Sequence, residues 1–173
     1  MTESIYPLGT AARSIEIALA EVGYAEKPTN RVKYNGEKFE HPWCGDFQDW
    51  VAIQNGIKMP SQRSTVLGCN RMKDIGRGVT DKPQIGDWCY MGIDGAIMHI
   101  GIVGLVTANW VLCIEGNTSD KSQDNGGMVM IKQRMIHPKK GEFGVICFTR
   151  PKYVPYKGEF PIVELPTAKK VKK

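Results

Sequence analysis

Cys44 has surroundings that set it apart from the other cysteines of this chain. It lies in the segment HPWCGDFQDW (41–50), which we interpret as the start of a helix. The positive end of a helix dipole favours a thiolate, and first-turn N–H groups could hold an oxyanion, as a cysteine nucleophile requires. Trp43 could line a substrate cleft or pack at the helix start, and Gly45 would let substrate or backbone approach closely. A buried cysteine that only begins a helix is nearly as common.

His99 is a polar residue in the otherwise apolar or small segment MHIGIVG (98–104). Further along the chain, Glu115 and Asn117 are separated by one residue in IEGNT. Alternate strand residues point to the same face, so both could face His99 if the two strands form a hairpin. Either could then orient an imidazole that acts as a general base. Alternatively, His99 is a hydrogen-bonded core residue, and Glu115 and Asn117 mark a strand entering a turn.

The first half of the chain has helical periodicity. We predict a helix from Thr10 to Val22, a second from Cys44 to Gly56 and a third from Ser64 to Ile75, closed by Gly76 and Gly78. Residues 24–43 are polar and lack periodicity, and they are interpreted as a long surface loop.

The second half is typical of β-strands. Short runs of β-branched and aromatic residues alternate with Gly, Asn and Asp, which indicates antiparallel strands with close connections. These runs are PQIGDWCYM, AIMHIGIVGLV, WVLCIEGN, GMVMIKQRM and FGVICFTR. Helices followed by strands predict an α+β domain, with N-terminal helices packed on a four- to six-stranded antiparallel sheet.

Charge is concentrated at the C-terminus. The chain has 173 residues and a net charge of +5. Residues 151–173 hold six Lys and two Glu, a balance of +4, and the preceding residues hold 17 basic and 16 acidic groups, a balance of +1. A nearly neutral body argues against nucleic-acid binding. We predict one catalytic domain over residues 1–153 and a Pro/Lys-rich tail or linker over 154–173.

The remaining composition excludes several classes. The five cysteines include no CxxC pair, which disfavours a structural zinc site. Cys89, Cys113 and Cys147 lie in apolar, strand-like runs and are expected to be buried, reduced thiols. No apolar run approaches the roughly 18 residues that span a bilayer. The N-terminus lacks the features of a secretory signal, so we expect synthesis in the cytoplasm.

The order Cys, His, Glu/Asn is that of papain-like hydrolases, and the chain resembles a CHAP domain. This is the cysteine- and histidine-dependent amidohydrolase/peptidase module of phage endolysins and bacterial autolysins. The resemblance covers roughly residues 12–153, and it looks most like endolysins of phages that infect Gram-positive, especially actinobacterial, hosts. It rests on A-x-x-E-V-G-Y-x-E around Glu21–Glu26, N-x-x-x-Y at Asn30–Tyr34, P-W-C-G-D-F at Pro42–Phe47, G-D at Gly86–Asp87, H-I-G-I-V at His99–Val103, E-G-N-T-S at Glu115–Ser119 and a final F-x-R-P ending at Pro151.

The resemblance implies a papain-like α+β fold and a set of roles. Cys44 would be the nucleophile, His99 the base, Glu115 the group that orients the imidazole, and Asn117 an auxiliary polar group of the site. Some CHAP domains bind calcium through Asp-x-Asp before the nucleophile, but the stretch before Cys44 has no Asp. We therefore expect no metal and no cofactor.

The resemblance also implies a partner and a place of action. The partner would be bacterial peptidoglycan, without nucleic acid or membrane insertion, and we expect a monomer that acts on the cell wall after release from the host cytoplasm. The reaction would be that of an N-acetylmuramoyl-L-alanine amidase, slightly favoured, or of an endopeptidase of the stem or cross-bridge peptides. A catalytically inactive wall-binding or virion structural module is a rival, and a transferase or thiol protease acting on proteins shares the same residues.

Overall fold

A computed structural model of the chain describes residues 4–37, 40–79 and 82–166. Within these residues the helices come before the strands, as the change of periodicity predicted. The helices are α1 (Ala11–Ala20), a 3-10 helix (Lys33–Asn35), α2 (Cys44–Gln54) and α3 (Thr65–Asp74). The strands are β1 (Gly78–Val79), β2 (Trp88–Ile93), β3 (Ala96–Val106), β4 (Trp110–Thr118), β5 (Met128–Met135) and β6 (Gly144–Thr149).

The strands form one antiparallel sheet in the order β1-β6-β2-β3-β4-β5. Strands β2 to β5 are neighbours in both sequence and space, because short connections favour antiparallel hairpins. The predicted α+β class, with helices before an antiparallel sheet of four to six strands, is confirmed. None of the helices in the described part of the chain is long and apolar enough to cross a membrane.

The start of α1 and the end of α2 follow local capping signals. The Thr10 hydroxyl accepts a hydrogen bond from the Arg13 N–H at 3.2 Å, which satisfies one of the free donors of the first turn of α1. Gly56 adopts a φ of 70° just beyond α2, and glycine reaches this left-handed region without the strain of a Cβ. The prediction that Gly78 closes α3 was wrong, since Gly78 pairs with Thr149 in β1.

The expected surface loop at 24–43 is partly a core element. Val32, Tyr34 and Trp43 within it are buried. The Tyr34 ring lies 5.4 Å from that of Trp43 and 5.0 Å from that of Phe47 in α2, measured between ring centroids. This segment lacks periodicity because its apolar side chains pack one by one rather than along a regular face.

The C-terminal segment also departs from its prediction. Residues 154–166 form no helix or strand, but the Val154 N–H donates to the Gly9 carbonyl at 2.8 Å and Val163 is buried. Val163 packs on Gly104 of β3, where a Cβ would lie 2.6 Å from a Val163 methyl group. The packed body therefore continues past the predicted boundary at residue 153. The lysines at 169–173 lie outside the described residues.

Candidate active site

Cys44 is the first residue of α2, and only 4% of it is exposed. Trp43 precedes it and makes no side-chain hydrogen bond to cap the helix. The first N–H groups of a helix have no acceptor inside the helix, and they carry the positive end of its dipole. The thiol therefore lies at a helix start, beside the first N–H groups of α2, as the sequence predicted.

Close packing of α2 on β4 brings Cys44 towards the sheet. A Cβ on Gly116 would lie 2.7 Å from both the Cβ of Phe47 and the Cζ3 of Trp43, so only glycine allows this approach. Trp43 is fully buried, and its indole N–H donates to Glu26 at 2.7 Å. Trp43 thus anchors the start of α2 in the core, so of the two placements that the sequence left open, the structure shows packing at the helix start.

Gly45 has a packing role as well. A Cβ at this position would lie 1.9 Å from the carbonyl oxygen of Gln62, in the segment that leads into α3. The sequence left open whether substrate or backbone approaches Gly45, and the structure shows an approach by backbone. Gly45 is itself buried, so it forms no surface against which a substrate could lie.

His99 and Glu115 meet on neighbouring strands. The Nε2 of His99 lies 3.0 Å from an Oε2 of Glu115, and both side chains have no exposed surface. Gly101 makes this contact possible, because a Cβ there would lie 2.7 Å from the Cγ of Glu115. Antiparallel β3 and β4 therefore bring together the two residues that the sequence assigned as base and orienting group.

The other ring nitrogen of His99, Nδ1, is buried and has no hydrogen bond of normal geometry with the described residues. Because Nε2 is taken by Glu115, Nδ1 is the nitrogen available to the Cys44 sulfur. Burial opposes the charged imidazolium, but interactions with Cys44 and with Glu115 outweigh it and raise the pKa of His99 to about 9. These interactions favour the charged imidazolium over the neutral ring.

Arg134, on β5, is a member of this cluster that the sequence analysis did not single out. Its Nε donates to an Oε1 of Glu115 at 2.7 Å, and its Nη2 donates to the other carboxylate oxygen. Burial works against ionisation of Glu115, but hydrogen bonds from Arg134 and His99 lower the pKa of this carboxyl below its ordinary value. The only signal in the sequence was an arginine inside an otherwise strand-like run.

Asn117 makes its hydrogen bonds in the connection between β4 and β5, whereas the sequence suggested that it could face the imidazole of His99. It adopts a φ of 59°, and the pairing of β4 with β5 shifts register between Glu115 and Thr118. Its side chain donates to Asn125 at 3.0 Å and accepts from the Gly127 N–H at 3.1 Å. The irregular backbone breaks the alternation on which the prediction relied, and Asn117 holds the turn between β4 and β5.

A second charged cluster lies on the first turn of α2. The buried Asp46 carboxylate contacts the Nε2 of His41 at 2.6 Å and the Nε of Arg63 at 2.9 Å. The carboxylate lies in the first helical turn, where negative charge is favourable, and it joins two segments to α2.

Among residues 4–37, 40–79 and 82–166, no group of three or more His, Cys, Asp or Glu side chains is arranged to hold a metal ion. Glu40, in the stretch before Cys44, forms an ion pair with Arg31.

Comparison of the chain with protein-family models, with curated proteins and with solved structures found no match. The functional argument therefore uses the geometry of the site together with the motifs of the sequence.

Proposed function

We propose that this protein is a cysteine-dependent peptidoglycan hydrolase of the CHAP type, with a papain-like arrangement of its site. The observation that carries the proposal is the buried His99 ring, which is bonded to Glu115 through Nε2 and interacts with Cys44 at a helix start. Nucleophile, proton carrier and orienting carboxylate come from three separate elements. A cysteine that only fills a core has no need of such partners.

The arrangement supports acyl transfer through a thioester. The Cys44 thiolate attacks the carbonyl carbon of an amide, and N–H groups at the start of α2 stabilise the oxyanion. As the C–N bond breaks, His99 gives its Nδ1 proton to the leaving amine. Water then attacks the thioester, His99 accepts the proton of that water, and the carboxylic acid leaves as the Cys44 thiolate is restored.

Glu115 keeps the imidazole in the orientation and tautomer that this cycle needs. An ionised carboxylate accepts a hydrogen bond from the Nε2–H group, so the proton that is transferred in the reaction is the one on Nδ1. The same carboxylate stabilises the imidazolium. Arg134 in turn satisfies both oxygens of that carboxylate, which would otherwise be a costly buried charge. We therefore assign Arg134 as a positioning residue that acts through Glu115.

The substrate class comes from the resemblance to CHAP domains. The motifs around Cys44, His99 and Glu115 resemble those of modules that hydrolyse cell-wall amides. We favour the bond between the glycan lactyl group and L-alanine, which would make the protein an amidase. Cleavage within the stem or cross-bridge peptide would use the same catalytic groups, since the choice of bond lies in the walls of the cleft. The protein would be released to act on the wall of a bacterial host.

A catalytically inactive wall-binding or virion structural module is the second candidate. It would bind peptidoglycan without cutting it. An inactive module would not need to retain a thiol, an imidazole and a carboxylate that interact with one another. Their presence together therefore favours an active enzyme. A thiol protease or transferase acting on proteins is chemically compatible with the site, and it predicts new termini in protein substrates rather than in the wall.

Digestion of purified Gram-positive peptidoglycan, followed by mass spectrometry of the soluble products, tests the proposal. New N-terminal L-alanine with free lactyl groups indicates an amidase, and new termini inside the peptides indicate an endopeptidase. Cys44→Ala should lower the rate by several orders of magnitude, since losing a nucleophile disables the whole unit.

Cys147→Ala is the matched control, because Cys147 lies on β6 outside the site. We expect it to keep activity with at most a modest loss of stability. Wall binding without new termini in any preparation would favour the inactive module. Equal activity of wild type and Cys44→Ala would contradict the mechanism.

A further inference from the structure

Cys69 and Cys147 form a thiol pair outside the proposed active site. Their sulfur atoms lie 3.2 Å apart, joining α3 to β6 across 78 positions of sequence. A disulfide bond is about 2 Å long, so a small movement of the side chains brings the sulfurs to bonding distance. Cys69 is fully buried, whereas Cys147 is partly exposed. Only one member of the pair is therefore open to reagents in solution.

The surroundings divide the two thiols into different chemical roles. A hydrogen bond from Cys69 and the charge of Lys73 lower the pKa of Cys147 to about 7, although partial burial opposes the thiolate. The hydrogen bond to Cys147, together with burial, raises the pKa of Cys69. Lys73 follows Cys69 by one turn of α3, so it lies on the same face of the helix. The partly exposed sulfur is thus the nucleophile, and the buried one keeps its proton.

We propose that Cys69 and Cys147 are a redox-active dithiol, in which Cys147 attacks a small-molecule disulfide and Cys69 resolves the adduct into an intramolecular disulfide. This modification site is independent of the proposed hydrolase activity.

The exchange balances as two displacements at sulfur. The Cys147 thiolate attacks one sulfur of an oxidant RSSR, the S–S bond of the oxidant breaks, and RS⁻ leaves. The Cys69 thiol passes its proton to that RS⁻, and its sulfur attacks Cys147 and expels a second RS⁻. Two electrons pass from the protein to the oxidant, which is reduced to one RSH and one RS⁻.

The chain contains a matched control in Cys89 and Cys113. These residues interact with one another across β3, since the pKa of Cys89 is raised by burial and by a hydrogen bond with Cys113. Both are fully buried. A hydrophilic oxidant cannot reach either sulfur in the folded protein, and burial holds Cys89 in its protonated form. Both pairs therefore consist of two neighbouring thiols. They differ in whether a reagent in solution can reach a sulfur and in whether that sulfur ionises readily.

The oxidised form should be more stable than the reduced form. A bond between residues 69 and 147 closes a long loop, which lowers the entropy of the unfolded chain. We expect the melting temperature to rise by about 5 °C or more in a chain of this size. The bond would fix α3 to the sheet edge that β6 and β1 share.

The test treats the folded full-length protein with excess glutathione disulfide, then alkylates free thiols and maps disulfides by mass spectrometry. The Cys44→Ala background removes any contribution from the nucleophile of the proposed site. We expect a Cys69–Cys147 cross-linked peptide, a raised melting temperature, and reversal of both by dithiothreitol. Cys89 and Cys113 should be recovered as alkylated thiols.

Two single variants separate the roles. Cys69→Ser should stop at a glutathione adduct on Cys147 without the rise in melting temperature, and Cys147→Ser should form neither adduct nor cross-link. Cys147→Ser is the safer variant, since it replaces the partly exposed residue. The proposal is overturned if the wild-type protein forms only the Cys147 adduct. It is also overturned if Cys89 and Cys113 cross-link at the same rate.

Discussion

Two buried carboxylates of this protein, Glu115 and Asp46, each bind one histidine and one arginine, and yet their surroundings differ. The partners of Glu115, His99 and Arg134, are 0% and 5% exposed as side chains. Those of Asp46 belong to two flanking segments and are 29% and 50% exposed. The same three residue types therefore form a buried cluster around Glu115 and a partly solvent-exposed cluster around Asp46.

This difference in solvent exposure decides what each cluster can do. Ion pairs with exposed partners are screened by water and contribute at most about 1 kcal/mol. Loss of one partner from a fully buried pair leaves an uncompensated charge and costs about 3–5 kcal/mol. His99, moreover, interacts with the thiol of Cys44. We infer that the Glu115 cluster performs chemistry, and that the Asp46 cluster holds two segments to the start of α2.

The largest expected difference is in turnover. Glu115→Gln keeps the shape of the side chain but removes the charge that sets the tautomer of His99, so we expect kcat to fall by about 10²–10⁴-fold. Asp46→Asn, the matched change, should cost less than about tenfold. Initial rates of peptidoglycan solubilisation measure both, with circular dichroism to confirm folding. Similar losses in the two variants would contradict the division of roles.

The arginines should differ in stability. Arg134→Met leaves the Glu115 carboxylate with His99 as its charged partner, and we expect the free energy of unfolding to fall by about 3 kcal/mol. Arg63→Met should change it by less than about 1 kcal/mol, because half of that side chain is in solvent. Urea denaturation measures both values. Arg134→Lys should recover only part of the loss, since lysine cannot bind both carboxylate oxygens in the same way.

The pH dependence should reveal the pairing of His99 with Cys44. The pKa of His99 is raised to about 9 from an ordinary value of 6.5. Protonation of His99 therefore contributes stability that is full below pH 6.5 and is lost as pH rises to about 9. Activity should fall over the alkaline part of this range as the imidazolium loses its proton.

Cys44→Ala removes one of the interactions that raise this pKa, so the His99 midpoint should move to lower pH. The alkaline loss of stability should shrink with it. Titration of the imidazole ring by NMR, with urea denaturation at pH 6 and pH 10, measures the change. An unchanged His99 midpoint in Cys44→Ala would show that the thiol and the ring do not interact.

The smallest effect is expected for His41. His41→Ala leaves Asp46 paired with Arg63, and its partly exposed side chain contributes little to the packed core. We expect activity within about twofold of wild type and a stability change below about 1 kcal/mol. His99→Ala, in contrast, should remove nearly all activity. A His41→Ala loss as large as that of His99→Ala would assign His41 to the reaction.

Local sequence was sufficient for the elements and for part of the site. The start of α1 follows from the Thr10 cap, and the start of α2 at Cys44 follows from the change from an aperiodic segment to helical periodicity, because these signals are local. Cys44 stood out because it lies at a predicted helix start. His99 and Glu115 stood out because each is a polar or charged residue in a strand-like segment. The hairpin of β3 and β4 then brings two of them together through short-range connectivity.

Tertiary structure alone decided which polar groups reach that hairpin. Arg134 comes from the next strand, and no pattern within β5 indicates that its guanidinium extends to Glu115. Gly101 and Gly116 create the space that the cluster needs, and this space depends on side chains from other elements.

Asn117 and Val163 show the same limit from the opposite side. A register shift interrupts the strict alternation that was assumed for Asn117, and its side chain bonds to the connection that follows β4. A long-range contact with Gly104 places Val163 of the expected tail in the core. The sequence by itself was sufficient to identify residues whose role depends on their own chemistry and on neighbours close in the chain. The tertiary structure decided the rest, because burial and register depend on atoms that are distant along the chain.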